Sequence, residues 1–490
     1  MTPMPPPRPA AAHLAALVVA LLATLVPVAV AASAPAKPNV LLIVADDLGY
    51  HDTGFQGSRE IPTPHLDRLA ASGVRCTQGY VSYPVCSPSR AGFLTGRYQQ
   101  RFGYEYNPRF DPALADHGLP LTERTIADEL RAAGYATGVV GKWHQGAHPQ
   151  FHPNRRGFDE FFGFLGGGHR FFPDSHVEVE VGAGKKAATH ADAEHASPML
   201  RNSAELPEEG ELTTRLGQEA AAFVARRAAA SPERPWLLYL AFNAPHTPLQ
   251  ARDDMLKKFA HIADPRRRTY AAMVATVDEA VGRVLDAVAA AGQRERTLVF
   301  FFSDNGGPMT KRNANASINT PLRGQKGDIF EGGIRVPFLV SWPARIPAGR
   351  TYDQPVISLD VLPTALAAAG AVRSPARPAL DGVDLVPYLR GDVTLAPHPR
   401  LYWRMDAGAA FAVREGRWKW FRTYDNPPEL YDLAADPGES RNLAAAQPEV
   451  AARLAAASAE WARGLAAPIW THNPFGGLIN RTGLEKTSAP

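Results

Sequence analysis

From about residue 38 the chain alternates short, wholly apolar runs with helix-like stretches, and the apolar runs end on polar clusters. Asn39–Ala45 (NVLLIVA) stops at Asp46-Asp47, and Thr297–Phe302 (TLVFFF) runs into Ser303-Asp304-Asn305-Gly306-Gly307. Trp236–Phe242 leads into Asn243-Ala244-Pro245-His246, and Ala136–Val140 ends at Gly141-Lys142. Unbroken runs of β-branched, aliphatic and aromatic residues are the mark of strands buried on both faces. Between them Pro64–Ser72, Leu121–Ala133, Leu212–Ala230, Tyr270–Ala291 and Leu359–Ala369 read as helices, and Val336–Trp342 as a further strand. Thr125 with Asp128 three residues on resembles a capping box, and Gly134 supplies a stop. The expectation is an α/β fold: a large, mostly parallel sheet flanked by helices. In such sheets ligands bind beyond the carboxyl ends of the strands, so the polar clusters are expected to converge there.

After about residue 396 the texture changes. Leu401–Met405, Ala410–Glu415, Trp418–Tyr424 and Leu430–Leu433 are short alternating strands, and Pro448–Gly464 is an Ala-rich helix. The predicted organisation is a main domain over 37–395, a small C-terminal antiparallel α+β subdomain over 396–467 and an irregular tail over 468–490. The short charge runs at Pro207–Glu211 and Arg266–Arg268 read as solvated loops.

The first 32 residues read as a signal peptide: Arg8 and His13 precede the apolar run Leu14–Val30, and small residues follow at Ala29–Ala34. An uncleaved anchor helix is the alternative, but the run contains Pro27 and is short for a span. The expectation is an exported protein, periplasmic or secreted, with no membrane association after cleavage. A formal net charge of +3 gives no reason to expect a nucleic-acid partner. An exported chain of 490 residues with only Cys76 and Cys86 must rely on a large core rather than on disulfides. A short local bridge between the two is one reading of them, and the residues around Cys86 argue against it.

Asp46, Asp47, Asp304 and Asn305 close two buried strands. Two like charges about 4 Å apart repel by roughly 4 kcal/mol at an effective dielectric near 20, so carboxylates gathered at one sheet edge want a cation. An all-oxygen donor set suits Ca²⁺ or Mg²⁺ rather than Zn²⁺. Turn and cap roles are the competing reading for these residue types. Cys86 precedes a short helix read over Ser89–Thr95, with Arg90 nearby, a setting that lowers a thiol pKa. Lys142 and His144 follow one strand, His246 another, and Lys326 lies in Leu322-Arg323-Gly324-Gln325-Lys326-Gly327. Lysines beside histidines can clamp a tetrahedral anion while histidine moves protons. His148, His152, His169 and His176 match no compact zinc pattern.

The string Cys86-Ser87-Pro88-Ser89-Arg90, continuing into Ala91-Gly92-Phe93-Leu94-Thr95-Gly96-Arg97, resembles the formylglycine-dependent sulfatases of the arylsulfatase type, in the alkaline-phosphatase-like superfamily. Supporting matches run from about Pro38 to Leu443: Asp46-Asp47-Leu48-Gly49, Gly141-Lys142-Trp143-His144, Arg156-Gly157-Phe158-Asp159, Ala244-Pro245-His246, Ser303-Asp304-Asn305-Gly306-Gly307, Glu331-Gly332-Gly333-Ile334-Arg335-Val336-Pro337, Leu430-Tyr431-Asp432-Leu433 and Asn442-Leu443. Gln145 departs from the pattern, where an apolar residue is more usual.

The resemblance implies an exported hydrolase of sulfate esters, on a sulfated carbohydrate or an aryl sulfate. It implies that a maturation enzyme converts Cys86 to formylglycine, whose hydrate attacks sulfur and forms a covalent sulfated intermediate. Asp46, Asp47, Asp304 and Asn305, with the residue-86 hydrate, would hold Ca²⁺, with Mg²⁺ as the other option. Arg90 would orient the hydrate. Lys142 and Lys326 would bind the sulfuryl oxygens, His246 with Lys326 would protonate the leaving group, and His144 would regenerate the aldehyde. His169 is a further candidate for substrate contact. Alternatives are a phosphodiester or phosphonate monoester hydrolase on the same scaffold, and a non-catalytic glycan- or anion-binding relative.

Overall fold

The computed structural model describes residues 1–5, 37–173, 197–309 and 314–470. The chain divides into two units, Met1–Ala36 and Lys37–Pro490. The apolar run read as a signal peptide, most of the 468–490 tail and His176 lie outside the described residues. None of the described helices is long and apolar enough to cross a membrane.

Among the described residues ten strands form the main sheet. They are β1 (Asn39–Ala45), β2 (Val74–Cys76), β3 (Ala136–Lys142), β4 (Glu160–Phe164), β5 (Leu200–Arg201), β6 (Ala204–Glu205), β7 (Trp236–Ala241), β8 (Thr297–Ser303), β9 (Phe338–Ser341) and β10 (Arg350–Tyr352). Their spatial order is β10-β2-β9-β8-β1-β7-β3-β4-β5-β6. The central five strands, β8-β1-β7-β3-β4, are mutually parallel, while β9 runs antiparallel to β8 and β5 antiparallel to β4. The register is level at one edge: Ala45 lies beside Ser303, Val44 beside Ala241, and Ala241 beside Gly141. The residues that follow these positions therefore emerge side by side.

The period of two along β1 explains its lack of alternation in sequence. Val40, Leu42 and Val44 enter one core, and Leu41, Ile43 and Ala45 enter the core on the opposite face. Full burial of each such aliphatic side chain contributes about 1.5–3 kcal/mol. The helices covering the sheet are α1 (Pro64–Ala71), α2 (Cys86–Thr95), α3 (Ile126–Ala132), α4 (Leu212–Ala230), α5 (Pro265–Ala290) and α6 (Val361–Ala368). α1, α4 and α5 line the face of Leu41 and Ile43; α2, α3 and α6 line the other.

The C-terminal strands form a separate antiparallel sheet, β11 (Leu401–Met405), β12 (Ala410–Glu415), β13 (Trp418–Thr423) and β14 (Glu429–Asp432), with helix α7 (Pro448–Ala462). Trp403 and Phe421 of this sheet join the core beside α2, α3 and α6.

Several boundaries differ from expectation for local reasons. α3 begins at Ile126 rather than Leu121, because the Thr125–Asp128 capping box closes its first turn there. α5 begins at Pro265, with Asp264 accepting from the Arg266 N–H. Arg266–Arg268 is therefore helical rather than a solvated loop, and Arg267 pairs with Asp52 at 2.8 Å and Glu60 at 2.6 Å. Glu211, read as part of a solvated run, caps α4 by accepting from Thr213 and Thr214. The aromatic strand β4 was not expected at all.

Candidate active site

The leading edge of the sheet gathers the acids. Asp46 and Asp47 follow β1, Asp304 and Asn305 follow β8, and all four are at most 1% exposed. Oxygen atoms of Asp46, Asp47 and Asp304 lie within 4.8 Å of one another. Three cationic side chains face them. Lys142, the last residue of β3, contacts Asp46; Lys326 lies 2.7 Å from Asp47; and the Arg90 guanidinium reaches Asp304 at 2.7 Å and Asp46 at 3.6 Å. Arg90 is anchored from behind by the Tyr239 hydroxyl of β7 at 2.9 Å.

Cys86 is the first residue of α2, three positions earlier than the sequence pattern indicated, and its Sγ lies 3.6 Å from Asp46 Oδ1. Cys76 and Cys86 are both free thiols, so no bridge joins them. The expectation of a lowered thiol pKa fails. Burial pushes the Cys86 thiol up to about 12, against the pull of Lys142 and Lys326. A thiol in this state is a poor nucleophile as translated.

Two residues of the cluster hold left-handed backbone without being glycine: Asp47 at φ 65° and His144 at φ 53°. Such conformations cost about 1–3 kcal/mol each and persist only where surroundings enforce them. For His144 the enforcement is visible. Its carbonyl accepts from the Ser87 hydroxyl and from Gln145 Nε2 at 2.8 Å, and Gln145 Nε2 also reaches the Ser87 carbonyl at 3.0 Å. Gln145, the departure from the apolar pattern, thus ties His144 to the residue after Cys86. Asn315 Nδ2 donates to the carbonyls of Asp47 at 3.0 Å and Pro245 at 3.2 Å.

The protonation states follow from burial and neighbouring charge. Burial raises Asp304 to about 6, and repulsion from Asp46 adds to it, while Arg90 and Lys142 oppose. Burial would raise Asp46 too, but Lys142, His246 and Arg90 outweigh it and hold that carboxyl far below the usual range. Burial drives the His144 imidazole well below its ordinary value, reinforced by Lys142 and Arg90. His246 is lowered to about 4, again chiefly by burial. Lys326 is raised well above its ordinary value because Asp47 overcomes the cost of burial.

His246 Nδ1 lies 2.6 Å from the Thr247 carbonyl, which fixes the proton on that nitrogen and leaves Nε2 facing Asp47 Oδ2 at 3.6 Å. Both ring nitrogens of His144 are buried without a partner. His169 is not brought to the cluster. Its ring contacts the Arg170 carbonyl at 2.7 Å and Glu208 at 3.6 Å, and only its backbone carbonyl, accepting from Asn243 Nδ2 at 2.8 Å, points toward the β7 edge. His148 and His152 instead cap short turns, and among the described residues neither belongs to a group able to hold a metal.

A divalent cation fits these residues. The donor set is carboxylate and amide oxygen, and Asn305 Oδ1 is buried without a hydrogen-bond partner. Three carboxylates already face two lysines and an arginine, so a divalent ion added among them suits an anionic ester. Functional partners given no role in the sequence reading are Tyr239, Ser87 and Asn315. Tyr239 has a signal, as the one hydroxyl within the apolar run Trp236–Ala241; Ser87 has one in its place directly after Cys86; Asn315 has none beyond being small and polar.

The family model described as Sulfatase matches residues 38–371, and one described as N-sulphoglucosamine sulphohydrolase, C-terminal, matches 325–457. Arylsulfatase A of Bos taurus is 36% identical, over 86% of this chain and 86% of its own length. N-acetylgalactosamine-6-sulfatase of Canis lupus familiaris is also 36% identical, over 84% and 77%. The crystal structure of Ps i-CgsB in complex with k-i-k-neocarrahexaose superposes with a TM-score of 0.82 at 36% identity, covering 90% of this chain and 96% of that one. A phosphonate monoester hydrolase of Agrobacterium radiobacter shares the fold, with a TM-score of 0.61 at 22% identity.

Proposed function

This chain belongs to the sulfatase family and is a sulfuric ester hydrolase, and we propose that it acts on a sulfated carbohydrate, using a formylglycine made from Cys86 and a divalent cation held by Asp46, Asp47, Asp304 and Asn305. The observation that carries the reading is the approach of Cys86 Sγ to 3.6 Å of Asp46, within a cluster of three carboxylates and three cations. The hydrated aldehyde would supply the nucleophilic oxygen and the cation, Ca²⁺ or Mg²⁺, would polarise the ester.

The remaining work falls to this chain's own side chains. Arg90, pinned between Asp304 and Tyr239, orients residue 86. Lys142 and Lys326 bind the sulfuryl oxygens, where charge builds as the ester bond breaks. Lys326 carries a proton in the resting site, and His246 Nε2 gains proton affinity when an anionic ester lies beside it. Those two groups deliver the proton to the departing oxygen. His144, neutral and with unpartnered ring nitrogens, is suited to take a proton from residue 86 in the later half of the cycle.

A carbohydrate substrate is supported by Ps i-CgsB, crystallised with a hexaose, and by the N-acetylgalactosamine-6-sulfatase relatives. Export, a leader over 1–32, a catalytic domain over 37–395 and a subdomain over 396–467 complete the proposal. The test is sulfate release from a panel of sulfated mono- and oligosaccharides and 4-nitrophenyl sulfate, set against hydrolysis of a phosphodiester. The reading expects sulfated sugars to be preferred; a strong phosphodiester preference would overturn it.

A further inference from the structure

Outside the active site, Glu331, Lys419 and Glu439 form a second cluster of buried charge, at 0%, 0% and 1% exposure. Lys419 of β13 pairs with Glu331 Oε1 at 3.0 Å and Glu439 Oε1 at 2.8 Å. Glu439 Oε2 accepts the Glu331 backbone N–H at 2.7 Å, and the Tyr80 hydroxyl donates to Glu331 Oε2 at 2.6 Å. Glu439 holds a left-handed backbone at φ 51°. Buried ion clusters are weak contributors to stability, and well-packed apolar replacements are often neutral or better. Stability alone therefore does not explain this one.

Its placement does. Glu331 opens the turn Glu331–Ile334. The Gly333 carbonyl of that turn accepts the N–H of Gly306, next to Asp304-Asn305, at 3.0 Å. The two backbones touch: a Cβ on Gly306 would lie 1.8 Å from the Gly332 carbonyl oxygen. On its other side the turn carries the Lys326 segment. The Gly332 N–H donates to the Arg323 carbonyl at 2.6 Å, and a Cβ on Gly333 would meet the carbonyl oxygens of Asp328 at 2.0 Å and Gln325 at 2.5 Å. Arg323 Nη1 returns to the Glu439 carbonyl at 3.1 Å.

We infer that Lys419, with Glu331 and Glu439, is a positioning residue of the active site: the C-terminal sheet fixes the Glu331–Ile334 turn, and that turn sets Asp304, Asn305 and Lys326 relative to one another. The inference rests on the proposed roles of Asp304 and Asn305 as cation ligands and of Lys326 as a sulfuryl contact. Misplacement by about 1 Å at such a site costs on the order of 10²-fold in rate.

The test combines the charge-free triple variant Glu331→Gln/Lys419→Met/Glu439→Gln with Lys419→Arg, read by Ca²⁺ titration calorimetry, by kcat and KM on 4-nitrophenyl sulfate, and by thermal unfolding. The expected result is a folded triple variant with Ca²⁺ affinity weakened about 10-fold, kcat down about 10–100-fold and KM little changed, and partial recovery of affinity and kcat in Lys419→Arg. A folded triple variant with wild-type Ca²⁺ affinity and kcat overturns the inference. Should the triple variant not fold, Glu439→Gln alone, which keeps the Lys419–Glu331 pair, decides on the same readouts: weaker Ca²⁺ binding supports it, and native values of both overturn it. Asp304→Asn measured in parallel separates the two levels. Unchanged Ca²⁺ binding in Asp304→Asn defeats the ligand reading, whereas its loss there with none in the triple variant defeats only the positioning role.

Discussion

Two of the buried charge clusters among the described residues are built differently. At the end of β1 and β8, three carboxylates meet Arg90, Lys142 and Lys326, yet Asn305 Oδ1 and both His144 nitrogens stay without partners. At the junction with the C-terminal sheet, Lys419 pairs with both Glu331 and Glu439, the Tyr80 hydroxyl donates to Glu331, and Arg335 lies 3.5 Å from Glu331; Glu439 Oε1 makes no hydrogen bond but meets the Lys419 ammonium at 2.8 Å. Unpaired buried polar groups are expensive, so a cluster that keeps them is arranged for something it binds. A cluster that satisfies itself holds its surroundings in place. Both enclose glutamate or aspartate beside lysine; what separates a site from a strut is the unfilled valence.

The contrast can be broken by experiment. The largest effect is expected from Asp304→Asn, which removes a cation ligand and the partner of Arg90: a loss of about 10³-fold in kcat/KM on 4-nitrophenyl sulfate, with Ca²⁺ binding by calorimetry strongly weakened. Activity at native levels would show the acids to be structural. His144→Ala should lower kcat by about 10²-fold and, in rapid mixing, leave a burst of nitrophenol followed by slow turnover. Slowing without a burst would place His144 in the earlier half of the cycle. Gln145→Leu, which restores the apolar pattern and removes one of the two donors to the His144 carbonyl, should cost about fivefold in kcat with KM little changed.

The smallest effect belongs to the closed cluster and is one of pH. Burial, with repulsion from Glu331, raises Glu439 to about 7 despite Lys419. A carboxyl whose folded value exceeds its unfolded value near 4.5 binds its proton more tightly when folded. Its contribution to stability is then greatest below about pH 4.5 and declines as pH rises toward 7. Glu439→Gln should flatten that slope, changing the Tm difference between pH 5 and pH 8 by about 1–3 °C. An unaltered slope would mean that Glu439 does not titrate in this range.

The active site was more legible in the sequence than the strut, for a physical reason. A strand buried on both faces writes itself as an unbroken apolar run, so its end is marked by the polar cluster that follows; Asp46, Asp304 and Lys142 stand in such clusters. Lys419 sits inside the strand Trp418–Thr423, where alternation suggests one face exposed, and only packing against Glu331 reveals it as buried. Glu439 lies in an irregular turn whose left-handed backbone nothing in its residue type announces. The thiol was misjudged because a helix start and a nearby arginine are visible in sequence, whereas full burial of Cys86 is not. His169 stands apart from the charged cluster, its ring packed on Phe164 and facing Glu208, surroundings that its sequence position does not announce.

Catalysis by this chain turns on residue 86. Peptide mass spectrometry across Cys86, on protein from its native source with measured turnover of a sulfate ester, tests it most directly. Active protein is expected to carry the aldehyde or its hydrate at position 86, in a fraction that scales with specific activity. Full activity from protein whose residue 86 is an intact thiol would contradict it.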